Sequence, residues 1–165
     1  MVEKPEVLIR YDLKPGDLGY IIYLHGHLYA KEYDFNIDFE TYVAGPLTEL
    51  VQRKSDRERV WVVELAGEGE IVGSIAVSEY SDEQAQLRWL LLHPRVRGNG
   101  FGKKLIEEAM GFCRNRGYST IFLWTVDVCR EAGELYKKLG FRITEEKPNE
   151  IWDEKLTDQK YERGL

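Results

Sequence analysis

The chain is short of cysteine, of positive charge and of long apolar runs, and each shortage excludes a class of protein. Its two cysteines, Cys113 and Cys129, form neither a Cys-x-x-Cys pair nor a zinc-ligand spacing, so no metal site is expected. Two free thiols suit a reducing compartment. No apolar run approaches the roughly 20 residues of a membrane-crossing helix, so no membrane partner is expected. The segment from Met1 to Glu6 lacks the basic start and apolar core of a signal peptide, which makes a cytoplasmic location the default expectation. Lysine and arginine number 23 against 29 aspartates and glutamates, and a net charge of −6 argues against coating nucleic acid. There is no internal repeat, low-complexity stretch or linker, so residues 1–165 are read as a single domain.

Apolar substance is present in quantity. Hydrophobic residues make up 43% of the 165, with ten Tyr and four Trp, enough for one packed core. Residues 7–11 read as a strand. Asp17, after Pro15-Gly16, is placed to cap a helix over 18–33, weakened by Gly26. A second helix over 39–53 contains Gly45-Pro46, which is expected to kink or split it. Residues 60–65 and 71–77 read as a hairpin, and 84–92 as a further strand that is nearly apolar in its second half. A helix over 102–116 gathers Leu105, Ile106, Ala109, Met110, Phe112 and Cys113 mostly on one face. A strand over 120–126, a short helix over 131–139 closed by Gly140, and strands over 141–145 and 159–162 follow. This order describes an α/β domain with a mixed sheet.

Between the apolar strand and the amphipathic helix lies Arg97-Gly98-Asn99-Gly100-Phe101-Gly102. Strand, glycine-rich turn, helix start is a phosphate-binding arrangement. The glycines let the backbone curl with its N–H groups inward, and the helix N-terminus adds partial positive charge. The ordinary alternative is a tight strand-to-helix connection. The spacing fits neither nucleotide motif: the dinucleotide fingerprint needs G-x-G-x-x-G, and a P-loop closes on Gly-Lys-Ser/Thr, whereas Gly102 precedes Lys103-Lys104.

Arg97, Gly100 and Gly102 do match R/Q-x-x-G-x-G/A, the acetyl-coenzyme A signature of the GNAT superfamily of N-acetyltransferases, which the chain resembles. Ala132-Gly133-Glu134-Leu135-Tyr136-Lys137-Lys138-Leu139-Gly140-Phe141 resembles that family's second motif, A-x-x-L-Y-x-x-x-G-F. A closer resemblance links His25-Gly26-His27-Leu28-Tyr29-Ala30-Lys31-Glu32-Tyr33, Leu123-Trp124-Thr125-Val126-Asp127-Val128 and Gln159-Lys160-Tyr161-Glu162 to the acetyltransferase half of MarR–GNAT fusion proteins. The winged-helix half is absent from this chain, so DNA binding does not carry over.

The resemblance implies a mixed, mostly antiparallel sheet of about seven strands flanked by about four helices, with the fourth and fifth strands splayed apart. It implies acetyl-CoA as acyl donor, with no metal. Leu90, Leu91 and Leu92 would offer backbone groups to the pantetheine arm, and the N–H groups of Gly98, Asn99, Gly100, Phe101, Gly102 and Lys103 would hold the pyrophosphate behind Arg97. Cys129 stands where relatives carry an Asn that touches coenzyme A, and Tyr136 where they carry the acid that protonates the leaving thiolate. The backbone N–H of Leu91 or Leu92 would steady the oxyanion.

The proton acceptor is open on these residues. Where some relatives carry a Glu base this chain has Trp124, which cannot accept a proton. His25, Glu32 and Tyr33 in the first helix are the candidates, against surface or packing roles for each. His25 and Glu32 are seven residues apart, about two helical turns, and Tyr29 shares their face. The ordinary pKa of His suits a base. Trp89 and Trp124 are read as flat walls of an acceptor pocket, with core packing as their alternative, so that an amine on an apolar body would meet Glu32. The expected activity is transfer of an acetyl group from acetyl-CoA to a primary amine of a small molecule or protein. The alternative is a CoA-binding sensor without catalysis. A last strand beside an exposed edge leaves room for a homodimer.

Overall fold

The structure, a computed structural model, describes residues 3–149 and 155–165. Among the described residues it has seven strands and four α-helices. The first half runs β1 (Val7–Arg10), α1 (Asp17–Tyr33), α2 (Ile37–Arg53), β2 (Arg59–Leu65), β3 (Ile71–Glu79) and β4 (Gln84–Leu92). The second half runs α3 (Phe101–Asn115), β5 (Thr120–Val126), α4 (Arg130–Lys138), β6 (Arg142–Pro148) and β7 (Thr157–Gly164). The sheet order is β1-β2-β3-β4-β5-β7-β6. The β4–β5 pair is parallel and the others are antiparallel. The last strand therefore lies inside the sheet and β6 forms the edge.

Alternation along β2 explains how helices cover both faces. Trp61 and Val63 pack with α3 residues Leu105, Ile106 and Ala109, whereas Val60 and Val62 pack with α1 and α2 residues Ile21, Leu24 and Leu47. Each such aliphatic side chain, fully withdrawn from water, contributes about 1.5–3 kcal/mol. A third cluster, with Phe35, Phe39 and Val43 against Val126 and Cys129, closes the layer over the end of β5.

Two helix expectations need correction. Gly16, at φ 96°, is the N-cap of α1, and Asp17 is its first helical residue. The Asp17 side chain turns back instead, accepting from the Lys14 N–H and from both Arg10 Nη atoms. Pro46 does not split α2, which runs unbroken. The buried positions Phe39, Val43, Leu47 and Leu50 hold one helical face to the sheet, and that burial outweighs the single hydrogen bond the proline removes.

The feature that positions the site is where β4 leaves β5. Their ladder covers Gln84–Gln86 against Thr120–Phe122 and goes no further. Just beyond, Ser74 pairs with Leu91 but Ala76 pairs with Arg88, so two residues of β4, Trp89 and Leu90, face the single Ile75. This is a β-bulge. Trp89 takes φ 51°, a left-handed conformation costly for a bulky side chain, and its carbonyl accepts from Ser74 Oγ at 2.7 Å. Gly73 permits the close approach nearby, since a Cβ there would lie 2.7 Å from the Leu91 carbonyl oxygen.

Arg10, on edge strand β1, bonds Asp17 at 2.8 Å and Glu64 at 2.9 Å, with only 10% of its side chain exposed. Arg10→Met leaves Asp17 buried without its cation. The expected loss is about 3–5 kcal/mol of unfolding free energy in urea titrations, and a loss under about 1 kcal/mol would show that the pair is a solvated surface contact.

Candidate active site

The glycine turn is built as an anion cradle. Gly98 and Gly100 have φ 75° and 81°, values that a side chain would strain. Asn99 Nδ2 donates to the carbonyls of Val96 at 3.1 Å and Arg97 at 3.0 Å, which fixes the loop from within. The first helical bond of α3 runs from the Lys104 N–H to the Gly100 carbonyl, so the N–H groups of Phe101, Gly102 and Lys103 have no acceptor inside the helix. No acid stands in the first turn of α3. A Cβ on Gly102 would come within 3.1 Å of Leu135 on α4, so this glycine lets the two helices approach.

Arg97 is committed elsewhere. Its Nε donates to the Leu92 carbonyl at 2.8 Å, and its two Nη atoms grip the Glu32 carboxylate, Nη2 to Oε2 at 2.9 Å and Nη1 to Oε1. The guanidinium is thus a strut tying the end of β4 to α1.

Where β4 and β5 part, a cavity of about 330 Å³ opens. His25 and Tyr29 of α1 and Phe39 and Tyr42 of α2 line one side. Arg88, Trp89 and Leu90 of β4 and Trp124 of β5 form its strand walls. Cys129, Tyr136, Lys147, Asn149 and Asp158 complete it. Tyr29 stacks on Phe39 with ring centroids 4.4 Å apart and lies parallel to His25 at 6.1 Å. Aromatic faces and few carboxylates make this a site for a largely apolar body.

Burial sets the protonation states around it. His25 Nδ1 lies 2.8 Å from the Ile21 carbonyl, and since a carbonyl only accepts, Nδ1 carries the hydrogen. Nε2 therefore presents a lone pair, buried and without a hydrogen-bond partner. Desolvation pulls the His25 pKa down to about 4, so the imidazole is neutral at physiological pH. Burial pushes the Tyr136 hydroxyl above its ordinary value, with the neighbouring Cys129 and Tyr161 adding to the shift. Tyr136 thus keeps its proton. The Cys129 thiol, at the N-cap of α4, is also raised by burial, although hydrogen bonding with Tyr33 and Thr125 works against this.

Of the site residues read from the sequence, the cavity gathers His25, Tyr29, Trp89, Leu90, Trp124, Cys129 and Tyr136. Glu32, Tyr33, Leu91 and Leu92 lie outside its lining, as does the glycine turn. Glu32 faces Arg97, and Tyr33 meets Cys129 from the other side. His25 and Glu32 thus follow one helical line and still reach different surroundings. The idea that the ordinary pKa of His equips His25 as a base is corrected by its burial. Sequence reasoning passed over Arg88, Lys147, Asn149 and Asp158. Arg88 carried the one available signal, a lone cation inside the apolar run Leu87-Arg88-Trp89-Leu90-Leu91-Leu92. Lys147 comes from β6, Asn149 from just after it and Asp158 from β7, and local patterning does not place these at the cavity.

The acetyltransferase (GNAT) family model matches residues 26–141. The chain belongs to the GNAT acetyltransferase family. A curated relative, the uncharacterized N-acetyltransferase YjgM of Escherichia coli K12, is 36% identical over 117 residues, 68% of this chain and 69% of that protein. Human N-acetyltransferase 8B is 31% identical over 97 residues, 56% of this chain and 42% of its own length. Among solved structures, the spermidine N-acetyltransferase of Vibrio cholerae in complex with CoA and spermine superposes with a TM-score of 0.73 at 21% identity, covering 96% of this chain and 95% of that one. A GNAT acetyltransferase of Elizabethkingia anophelis with acetyl-CoA bound gives 0.64 at 17% identity, covering 96% and 98%. These likenesses establish the GNAT fold, within which the cavity of this chain forms beside the parallel β4–β5 pair. Among the described residues no helix of this GNAT domain is long and apolar enough to cross a membrane. Nor does any group of three or more His, Cys, Asp or Glu there form a metal-ion site.

The state of His25 is testable through stability. The unfolded imidazole titrates near pH 6.5 and the folded one near 4, so the unfolded chain binds the proton first. The stability that neutral His25 contributes is present above pH 6.5 and is lost as pH falls from there toward 4. The wild type should lose about 3 kcal/mol more than His25→Gln over that window, measured by urea unfolding, and parallel pH profiles would show that His25 titrates freely.

Proposed function

We propose that the protein is an N-acetyltransferase that moves an acetyl group from acetyl-CoA to a primary amine seated in the cavity between α1–α2 and the parted ends of β4 and β5. The observation that carries this reading is that a buried tyrosine, Tyr136, and a buried neutral imidazole, His25, line one cavity where β4 and β5 part, in a chain that also carries an anion cradle at the start of α3. The cradle suits a pyrophosphate: N–H groups at the start of α3, two glycines in left-handed conformations and no competing acid. Phe101, Gly102 and Lys103, with Gly98, Asn99 and Gly100, would hold it. Leu90 and its neighbours on the unpaired stretch of β4 would take the pantetheine arm. When bound, acetyl-CoA supplies a thioester carbonyl open to attack by an amine.

The roles of the chain's own groups follow from their protonation. Tyr136 holds a proton at its hydroxyl and donates it to a leaving thiolate. Its ring, packed against Tyr161 at 5.4 Å and Phe141 at 6.0 Å, keeps that hydroxyl aimed. His25 Nε2 accepts a hydrogen bond from the amine and orients its lone pair. An imidazole with its pKa near 4 is a weak base, so the amine must enter neutral or pass its proton to water. Glu32 is a positioning residue: through Arg97 it fixes the end of β4 and the entry to the cradle.

Tyr136→Phe should lower kcat by about 100-fold with acetyl-CoA affinity unchanged, measured by thiol release against calorimetric binding. Gly100→Ala should do the reverse, weakening acetyl-CoA binding by straining a φ of 81° while leaving kcat at saturation near that of the wild type. Tight acetyl-CoA binding with no turnover across a broad amine panel would overturn the enzymatic reading in favour of a CoA sensor.

A further inference from the structure

Arg88 is a cation set between apolar and aromatic residues, Leu87, Trp89 and Leu90, on the β4 wall of the cavity. It lies two residues past the last β4–β5 pair, Gln86 with Phe122, on the stretch of β4 that has lost its neighbour on that side. Its guanidinium stacks over the Trp89 ring, 4.5 Å from the centroid, and its side chain lines the cavity. The polar neighbour on α2 is the Tyr42 hydroxyl. No carboxylate forms an ion pair with Arg88 among the described residues. Glu49 and Arg53, the charged groups of α2 felt at this distance, oppose one another.

Four other arginines near this half of the sheet are paired with carboxylates, whereas Arg59, like Arg88, packs on aromatic rings. Arg10 is held by Asp17, Arg53 by Glu58, Arg95 by Glu70 and Arg97 by Glu32. Arg88 is half-buried, and a guanidinium with five donors in a planar fork gives up part of its hydration there, which an anion would replace. Lys147, whose Nζ sits 4.6 Å from the centroid of the Trp124 ring, adds a second cation at the same cavity. Among the described residues the one carboxylate in the lining is Asp158, which accepts from Asn149 Nδ2 at 2.9 Å. The described wall therefore carries more positive than negative charge.

We infer that Arg88 anchors a carboxylate of the acetyl acceptor, so that the acceptor is an amino-acid-like amine with an apolar or aromatic body. This rests on the cavity being the acceptor site, as proposed above. Leu91 lies three positions after Arg88, about 10 Å of strand at most. That span, shortened by the reach of the arginine side chain, suits an amine and a carboxylate carried on one small molecule. Trp89, Trp124 and Phe39 supply flat faces for its side chain. A polyamine is disfavoured by the same charges, since each ammonium would meet Arg88 or Lys147.

The test uses L-phenylalanine, its uncharged isostere L-phenylalaninamide and 2-phenylethylamine, which lacks the carboxyl group, with rates compared per neutral amine and spermidine as the polycationic contrast. With the wild type, kcat/KM for L-phenylalanine should exceed that for L-phenylalaninamide by about 10- to 100-fold, the worth of a charge-assisted fork. Arg88→Met should abolish that preference while turnover of the amide persists, and Arg88→Lys should restore part of it. Equal rates for acid and amide, a preference for spermidine, or an unchanged ratio in Arg88→Met would overturn the inference. If no amine is acetylated although acetyl-CoA binds, it is the enzymatic reading that fails. The anchor is then tested by calorimetry of CoA-loaded protein with 3-phenylpropionate and 3-phenylpropionamide. Saturable binding of the acid alone, weakened in Arg88→Met, supports it, and indistinguishable binding of the two overturns it.

Discussion

The parting of β4 from β5 after Gln86 is the constraint on which the rest of the site depends. A continuous parallel ladder would fill the space between them with backbone hydrogen bonds and bury both strand faces. The bulge at Trp89 prevents this. It places two residues of β4 against one of β3, turns the strand, and leaves backbone groups of its second half facing a gap. The left-handed Trp89 is tolerated because Ser74 fixes its carbonyl, Gly73 admits the close approach and Arg88 covers the ring. Backbone strain inside a strand of a well-packed sheet points to a functional position. Here it opens a cavity in the middle of the fold.

Around that gap the protein controls charge by burial and by pairing. The two groups proposed to face the reacting atoms, His25 and Tyr136, are both neutral, and burial moves the titration of each further from physiological pH. The cations in the lining are half-buried Arg88 and exposed Lys147, and the Arg97–Glu32 ion pair lies outside it. Neutral proton-handling groups suit an amine that must arrive with its lone pair free, and a cation on the wall suits an anionic handle on the same molecule. Arg97 ties the end of β4 and the glycine turn to α1 through Glu32, so the helix that carries His25 and Tyr29 is braced against that loop.

Much of this was legible in the sequence, for identifiable reasons. The glycine turn announces itself because left-handed backbone and helix starts have a local chemical signature, and Gly98 and Gly100 adopt the expected conformations. Element order was also local in origin: the one-sided apolar face of α3 and the apolar strand β5 need no tertiary information. The misreadings came where distant parts compete. Asp17 looks like a cap until Arg10, on another element, claims its carboxylate. Pro46 looks like a break until four buried neighbours hold the helix together. His25 looks like a titrating base until α2 and the sheet bury it. Arg88 looks like a stray charge until the strand beside it turns away.

The central claim is that donor and acceptor meet in the gap between β4 and β5, with Tyr136 at the junction. The most direct measurement is a crystal structure of the protein with coenzyme A. The account predicts the pyrophosphate against the N–H groups at the start of α3, the pantetheine arm beside Leu90, and the sulfur within hydrogen-bonding distance of the Tyr136 hydroxyl. A sulfur lodged away from the gap, or coenzyme A bound with β4 and β5 zipped together past Gln86, would contradict it.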